Sequence, residues 1–396
     1  MLLLNEKQKR GLEIAVARYK AHKPWTCIAG YAGTGKSTLV KFIVSALGID
    51  PDTVAYVAFT GKAANVLSKK GNPNATTAHK LLYFAKPLPN GKFSFSPKPR
   101  FEIQQYSLIV VDEISMLPKD MWNLLLSHRV PIIACGDPAQ LPPINPDQDN
   151  HVLDEPHIFL DEIMRQAEGN EIIQLSMHIR EGKPIETFQS KNKQVQIISK
   201  NEIVGGMYSW ADQIICSTNR TRNDINAAVR AMNDFGATPQ EGDKVICMRN
   251  HWDTLTDNYS SLTNGTTGTL QNIYVDYYKV PFNIHPSCKI KVLFADVEVE
   301  GEGIFRELPI DYNALVKGEK TLSGSQEYAM TKNKRLPEPP YEFAYGYAIT
   351  GHKSQGSEWD SILALEERFP FDEEEHRRWL YTVCTRASEK LVVVKK

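Results

Sequence analysis

Residues 25–37 read Trp25-Thr26-Cys27-Ile28-Ala29-Gly30-Tyr31-Ala32-Gly33-Thr34-Gly35-Lys36-Ser37. The first five form a short apolar run of strand character, and from Gly30 onward the stretch satisfies G-x-x-x-x-G-K-[ST]. Just beyond it Leu39, Phe42, Ile43, Ala46 and Leu47 recur at helical spacing, and Gly48 stands where a helix-ending glycine belongs. A strand, a glycine-rich turn and an amphipathic helix in this order make a phosphate loop. The glycines let backbone N–H groups turn inward around phosphate oxygens, and the helix N-terminus adds partial positive charge. Lys36 then reaches the β- and γ-phosphates while Ser37 ligates Mg²⁺. The stretch therefore predicts an α/β fold with ATP-type phosphates held by Gly33, Thr34, Gly35, Lys36, Ser37 and Thr38.

Working outward, residues 53–59, 108–111 and 131–135 are further short apolar runs, separated by helical or polar segments. Strand, helix, strand repeated in this way predicts a parallel sheet covered on both faces. The run 108–111 ends in Asp112-Glu113. Adjacent side chains on a strand point opposite ways, so Asp112 can face the Mg²⁺ shell while Glu113 polarises an attacking water. A carboxylate beside the nucleophile favours hydrolysis over transfer to a second substrate.

Residues 83–105 break the pattern with four prolines and an Asn90-Gly91 pair between apolar residues, the signal of a hairpin projecting from the sheet. A second α/β region starts near 169, with strand-like runs at 213–217 and 244–248 around a helical pattern at 223–232. From 263 to 340 the chain becomes β-rich with glycines, and the α/β pattern resumes at 343. The expected division is one α/β domain over 1–82 and 106–168, a hairpin insertion over 83–105, a second α/β domain over 169–262 and 341–396, and a β-rich insertion over 263–340.

The 396 residues carry 46 Lys+Arg and 47 Asp+Glu, a formal charge of −1, which by itself speaks against a polyanion partner. The total conceals an asymmetry: residues 1–100 hold 16 basic and 4 acidic residues, the remainder 30 and 43. One part of the molecule is thus built to face an anion. The six cysteines never fall in metal-ligand spacing, and Cys27, Cys135, Cys216 and Cys247 sit in apolar runs, as reduced core cysteines of a cytosolic protein do. No apolar stretch approaches the roughly 18–20 residues that span a bilayer, and residues 1–4 are too short for a signal sequence. The expectation is a cytosolic protein with no membrane partner.

With these residues in place the sequence resembles superfamily 1 helicases, specifically the B-type group of RecD-like and small phage Dda-like enzymes, over nearly the whole chain. Gln8 falls in the family's Q motif, which would read the adenine edge. Residues 58–64, with Thr60 and Lys62, resemble motif Ia, and 76–82, with Thr76, His79 and Lys80, resemble the next DNA-contacting motif. Asp112-Glu113-Ile114-Ser115 is similar to motif II, and Gly136-Asp137-Pro138-Ala139-Gln140 to motif III, whose Gln140 would sense the γ-phosphate. Ile163-Met164-Arg165-Gln166 resembles motif IV. Residues 346–360 resemble motif V, giving His352 and Ser354 toward DNA and Gly356 and Glu358 toward ATP. Residues 381–387 resemble motif VI, with Arg386.

The resemblance implies two RecA-like motor domains, a pin hairpin with Phe95 (or Phe93) as its wedge, and an SH3-like fold for the β-rich insertion. Lys36, Asp112, Glu113, Gln140, Arg165 and Arg386 would form the catalytic set, the two arginines acting as fingers. It further implies ATP and Mg²⁺ as cofactors and 5′→3′ movement of a monomeric motor on single-stranded DNA and at single-strand/duplex junctions. Contact with single-strand-binding or replication proteins goes with such a role. Gly351 departs from the family's larger residue before His352, and a looser strand end is expected there. Three alternatives remain open at this stage: a DNA-stimulated translocase without processive unwinding, a RecD-like subunit of a nuclease complex, and an RNA helicase.

Overall fold

Six short strands of the first 160 residues pair side by side in parallel, in the order Ala75–Thr77, Val54–Ala58, Leu108–Val111, Ile132–Gly136, Trp25–Gly30, Ile158–Leu160. This architecture comes from a computed structural model that describes residues 4–72, 74–87, 93–142, 146–164, 169–257, 261–367 and 372–395. The strand residues alternate between two buried faces. Ile28, Tyr56, Leu108, Val110 and Ile133 pack into one hydrophobic core, and Cys27, Val57, Ile109, Val111 and Ile132 into the other. Burial on both sides is why these runs read as continuous apolar segments.

A second parallel sheet, in the order Ala348–Thr350, Gln213–Cys216, Trp359–Leu365, Ala387–Lys395, Val195–Ser199, is built the same way. Ile215, Ile349 and Ile362 line one face and Ile214, Ala348 and Leu363 the other. Leu141 of the first domain joins the first of these cores, so the two domains share buried apolar surface.

The third sheet is antiparallel, in the order Gly303–Asp311, Lys289–Val299, Thr267–Lys279, Lys244–Cys247, Phe343–Tyr345. Two of its members, Lys244–Cys247 and Phe343–Tyr345, fall in stretches that the sequence pattern assigns to the second α/β domain. Lys244–Cys247 instead pairs with Thr267–Lys279 on one side and Phe343–Tyr345 on the other. Its apolar residues Val245, Ile246 and Cys247 are all buried, and so short a run has no periodicity to say which sheet will take it.

The expected hairpin is present as Tyr83–Pro87 paired with Phe93–Pro97. Its Asn90-Gly91 turn lies outside the described residues. Cys27, Cys135, Cys216 and Cys247 are buried free thiols. Among the described residues no helix is long and apolar enough to cross a membrane.

Candidate active site and nucleic-acid interface

The phosphate loop leaves the strand Trp25–Gly30 and enters the helix Lys36–Leu47 through Gly35, at φ 81°. Gly33 also holds a positive φ, of 76°, so both positions need glycine. Lys36 Nζ donates to the carbonyls of Gly30 (2.6 Å) and Tyr31 (3.1 Å), folded back across the loop it would serve. Thr34 is buried, its hydroxyl donating to Tyr31 O, while Ser37 is exposed at the first turn and Thr38 is half-buried.

Asp112 follows the strand Leu108–Val111, half-buried. Burial raises its pKa, the neighbouring Glu113 carboxylate raises it further, and Lys36 pulls it back. A desolvated carboxylate of this kind is relieved by a hard cation, so Asp112 with the Ser37 hydroxyl fits Mg²⁺. Glu113 sits at φ 52°, a left-handed conformation uncommon outside glycine. That turn re-aims its side chain toward the other domain. Arg386 Nη1 comes to 3.6 Å of Glu113 Oε1. The Gln140 amide, oriented to satisfy both neighbours, donates to Glu113 Oε2 at 3.0 Å and accepts from Arg386 Nη2 at 3.1 Å. Glu113 and Gln140 belong to the first domain, Arg386 to the second, and Gln140 bridges them.

The domains are bonded around this trio. The Tyr381 hydroxyl donates to Asp137 Oδ2 at 2.6 Å and accepts from the phosphate-loop N–H of Ala32 at 3.0 Å. Thr382 Oγ1 accepts from Leu141 N, and Gln355 Nε2 donates to Leu141 O. The sequence reading did not single out Tyr381; its place in the motif VI stretch was the available signal.

Other predicted ATP residues sit differently. Gln8 is wholly buried, its Nε2 donating to Thr34 O and its Oε1 capping its own helix at Asn5 N. It therefore braces the back of the loop, where it is packed so closely that a Cβ on Gly35 would lie 2.5 Å from its Nε2. At Gly356 the atoms nearest the Cβ position belong to Ala63 and Thr60, so it abuts the motif Ia stretch. Glu358 is exposed. Arg165 lies outside the described residues.

A cleft of ≈ 760 Å³ runs between the two domains and touches the third sheet's loops. Thr60, Lys62 and His352 line it, as predicted, together with Phe59, Arg222, Asn264 and Lys353, which the sequence reading missed. Thr60 also caps the helix Gly61–Lys69 by accepting from Ala63 N. Lys62 Nζ stands 4.0 Å over the Trp359 ring, and burial together with nearby Lys244 lowers its pKa to about 8. His79 is the hub of an aromatic group, 5.7 Å from Phe59, 6.2 Å from Tyr83 and 5.6 Å from Phe95. Burial lowers its pKa, which favours the neutral ring. Phe95 is 46% exposed, Lys80 is exposed and Thr76 half-buried; the Phe93 side chain lies outside the described residues. Ser354 is fully buried and its hydroxyl donates to Gly351 O, while Lys353 beside it lines the cleft. Gly351 is no loose strand end either, since a Cβ there would lie 2.4 Å from Trp379 Nε1.

Two parallel-sheet domains that jointly complete a phosphate-loop site define a P-loop protein of the tandem RecA-like fold. The chain belongs to the AAA domain family, which matches residues 3–202, within the superfamily 1B group that its motifs resemble. Residues 345–394 match the UvrD-like helicase C-terminal domain. The ATP-dependent DNA helicase dda of Enterobacteria phage T4 is 30% identical over 46% of this chain and 43% of its own length. The ATP-dependent RecD2 DNA helicase of Deinococcus radiodurans is 25% identical over 97% of this chain and 49% of its own. The chain thus spans about half the length of the curated relatives it matches. Its fold is shared with Pif1 helicase from Bacteroides in complex with ADP-AlF3 and single-stranded DNA, at TM-score 0.57 and 17% identity, covering 99% of this chain and 92% of that one. Pif1 from Candida albicans superposes at 0.55 with 18% identity, covering 100% and 94%.

Proposed function

We propose that the protein is an ATP-dependent DNA helicase that moves 5′→3′ on single-stranded DNA and separates duplex at a fork. The observation that carries this reading is the Glu113–Gln140–Arg386 trio, assembled from two domains whose shared cleft is lined by Thr60, Lys62 and His352. In such an arrangement hydrolysis requires closure. Glu113 orients the water, Gln140 relays the state of the γ-phosphate, and Arg386 neutralises charge in the transition state. Arg165 would join as a second finger. Mg²⁺, held by Ser37 and Asp112, would neutralise phosphate charge. Gain of the γ-phosphate would then close the cleft and its loss open it, passing the strand along it.

Relatives named as DNA helicases and a Pif1 structure holding single-stranded DNA support DNA over RNA as the track. Under this reading the antiparallel sheet is the SH3-like insertion on the second motor, and the chain acts as a monomer in the cytosol alongside replication or single-strand-binding proteins. ATPase activity with and without single-stranded DNA, then unwinding of duplexes bearing only a 5′ or only a 3′ tail, tests it. Stimulation by DNA and unwinding of the 5′-tailed substrate are expected, both lost in Lys36→Ala. Unwinding confined to 3′-tailed substrates would reverse the polarity, and stimulation by RNA alone would change the track.

A further inference from the structure

The second motor domain approaches the phosphate loop at more points than hydrolysis alone requires. The helix Glu373–Cys384 carries Arg377, Arg378 and Tyr381 on one face, and Arg180 ends the helix Glu171–Arg180. With Tyr31 of the phosphate loop and Ala139 beside Gln140, these side chains line a cavity of ≈ 180 Å³. Three guanidiniums face one carboxylate there, that of Glu374, which pairs with Arg378 at 2.9 Å. Such an excess of positive charge stands out in residues 101–396, where acids outnumber bases 43 to 30.

Arg180 places its guanidinium carbon 3.5 Å from the Tyr31 ring centroid. Stacking of this kind occupies the flat face and leaves the in-plane N–H groups directed outward. Among the described residues neither the Arg180 nor the Arg377 guanidinium makes an ion pair or hydrogen bond, so both retain donors for an anion. A smaller cavity of ≈ 110 Å³, lined by Gln140 and by the carboxylates of Asp137, Asp149 and Asp154, shares Pro138 and Arg378 with the first. Arg378 thus borders both the cavity of the hydrolytic glutamine and the basic one, and the basic one is where an anion is favoured.

We propose that this basic vestibule is a binding site for inorganic phosphate, receiving the product as it leaves the hydrolytic centre. The inference rests on the hydrolytic reading of Glu113, Gln140 and Arg386. There the water oxygen bonds to the γ-phosphorus and the bond to the β–γ bridging oxygen breaks, giving ADP, HPO₄²⁻ and a proton. A tetrahedral dianion suits several guanidinium donors, each contributing a charge-assisted hydrogen bond.

The probe is inorganic phosphate added to DNA-stimulated ATPase reactions. The double variant Arg377→Gln/Arg378→Gln should need about tenfold more phosphate for equal inhibition, the loss of one or two charge-assisted contacts. The KM for ATP and inhibition by ADP should stay within about twofold of wild type, since those contacts lie elsewhere. Unchanged phosphate inhibition overturns the proposal. A parallel rise in KM also overturns it, by showing that the arginines hold the nucleotide itself. Titration of phosphate into the ADP-bound protein makes the same comparison without turnover. A wild type that binds phosphate there yet hydrolyses no ATP would sink the functional reading, while loss of binding only in the variant would sustain this one.

Discussion

Tyr381 brings a hydroxyl with almost no exposure to water into the junction of the phosphate loop, the Gln140 loop and the second domain. Burial raises its pKa, with the Asp137 carboxylate adding to the rise, so the phenol keeps its proton and donates to Asp137. Burial also raises the pKa of Asp137, which Lys36 and this hydrogen bond partly offset. Tyr381→Phe keeps the ring and removes the tie. A buried hydrogen bond to a charged group contributes about 1.5–3 kcal/mol, so DNA-stimulated kcat should fall about 10- to 100-fold. Binding of a fluorescent ATP analogue should be nearly unchanged, because Tyr381 meets the loop on the side of Ala32 and Asp137. Equal loss of affinity and turnover would reduce Tyr381 to general packing. Lys36, Asp112, Glu113 and Arg386 stand out as candidates in the sequence because motif chemistry is local. The contacts of Tyr381, Phe59 and Arg222 do not, since they depend on partners far away in the chain, 244 residues in the case of Tyr381 and Asp137. For Gln8 the motif gave the neighbourhood and the structure decided the contact: both its amide atoms are engaged behind the loop.

At the scale of elements, the hairpin and the short helix Gly351–Ser354 show two ways in which local sequence meets tertiary packing. The hairpin was legible from its turn residues, but its docking was not. Phe95 reaches His79 and Tyr83 across the hairpin base while remaining 46% exposed. Half-exposed, it can both pack the hairpin and meet a base at the fork, where stacking contributes about 1–3 kcal/mol per base. Phe95→Ala should slow strand separation about 10-fold or more while single-stranded DNA-stimulated ATPase stays within about twofold. Equal loss of both activities would make the ring a purely structural prop. Gly351 runs the other way. Its small size looked like looseness, yet the space a Cβ would take is filled by Trp379, one of the largest fully buried side chains. Gly351→Ala should therefore destabilise the second domain by about 1–3 kcal/mol, the usual penalty for overpacking, measured as a lower denaturation midpoint. A midpoint equal to wild type would show that Trp379 yields freely. In the strand Lys244–Cys247, Val245, Ile246 and Cys247 are all buried, so no alternation in the sequence points to the sheet that takes them.

Over the whole molecule, a formal charge of −1 conceals a track. The basic first hundred residues supply Lys62 to the cleft, while Arg222 and Lys353 come from the acidic remainder, so affinity for a polyanion follows the local field and not the sum. Lys62 makes this testable by pH. Its pKa is lowered from 10.5 to about 8 by burial and by nearby Lys244. Between pH 8 and 10.5 the unfolded chain holds more protons on this group than the folded one, so its contribution to stability rises with pH in that window. Its contribution to DNA binding runs in the opposite direction, because a phosphate needs the ammonium. Affinity for single-stranded DNA should weaken as pH rises through about 8, by up to the 1.5–3 kcal/mol of one charge-assisted contact, roughly. The salt slope should shrink by about one phosphate contact over the same range. Lys62→Arg keeps its charge throughout and should flatten that part of the profile. Fluorescence anisotropy of a labelled oligonucleotide between pH 7 and 9.5, at two salt concentrations, reads both effects. If wild type and variant fall together, Lys62 is not the titrating contact, and Lys353, whose pKa burial also lowers, becomes the residue of the cleft to replace next.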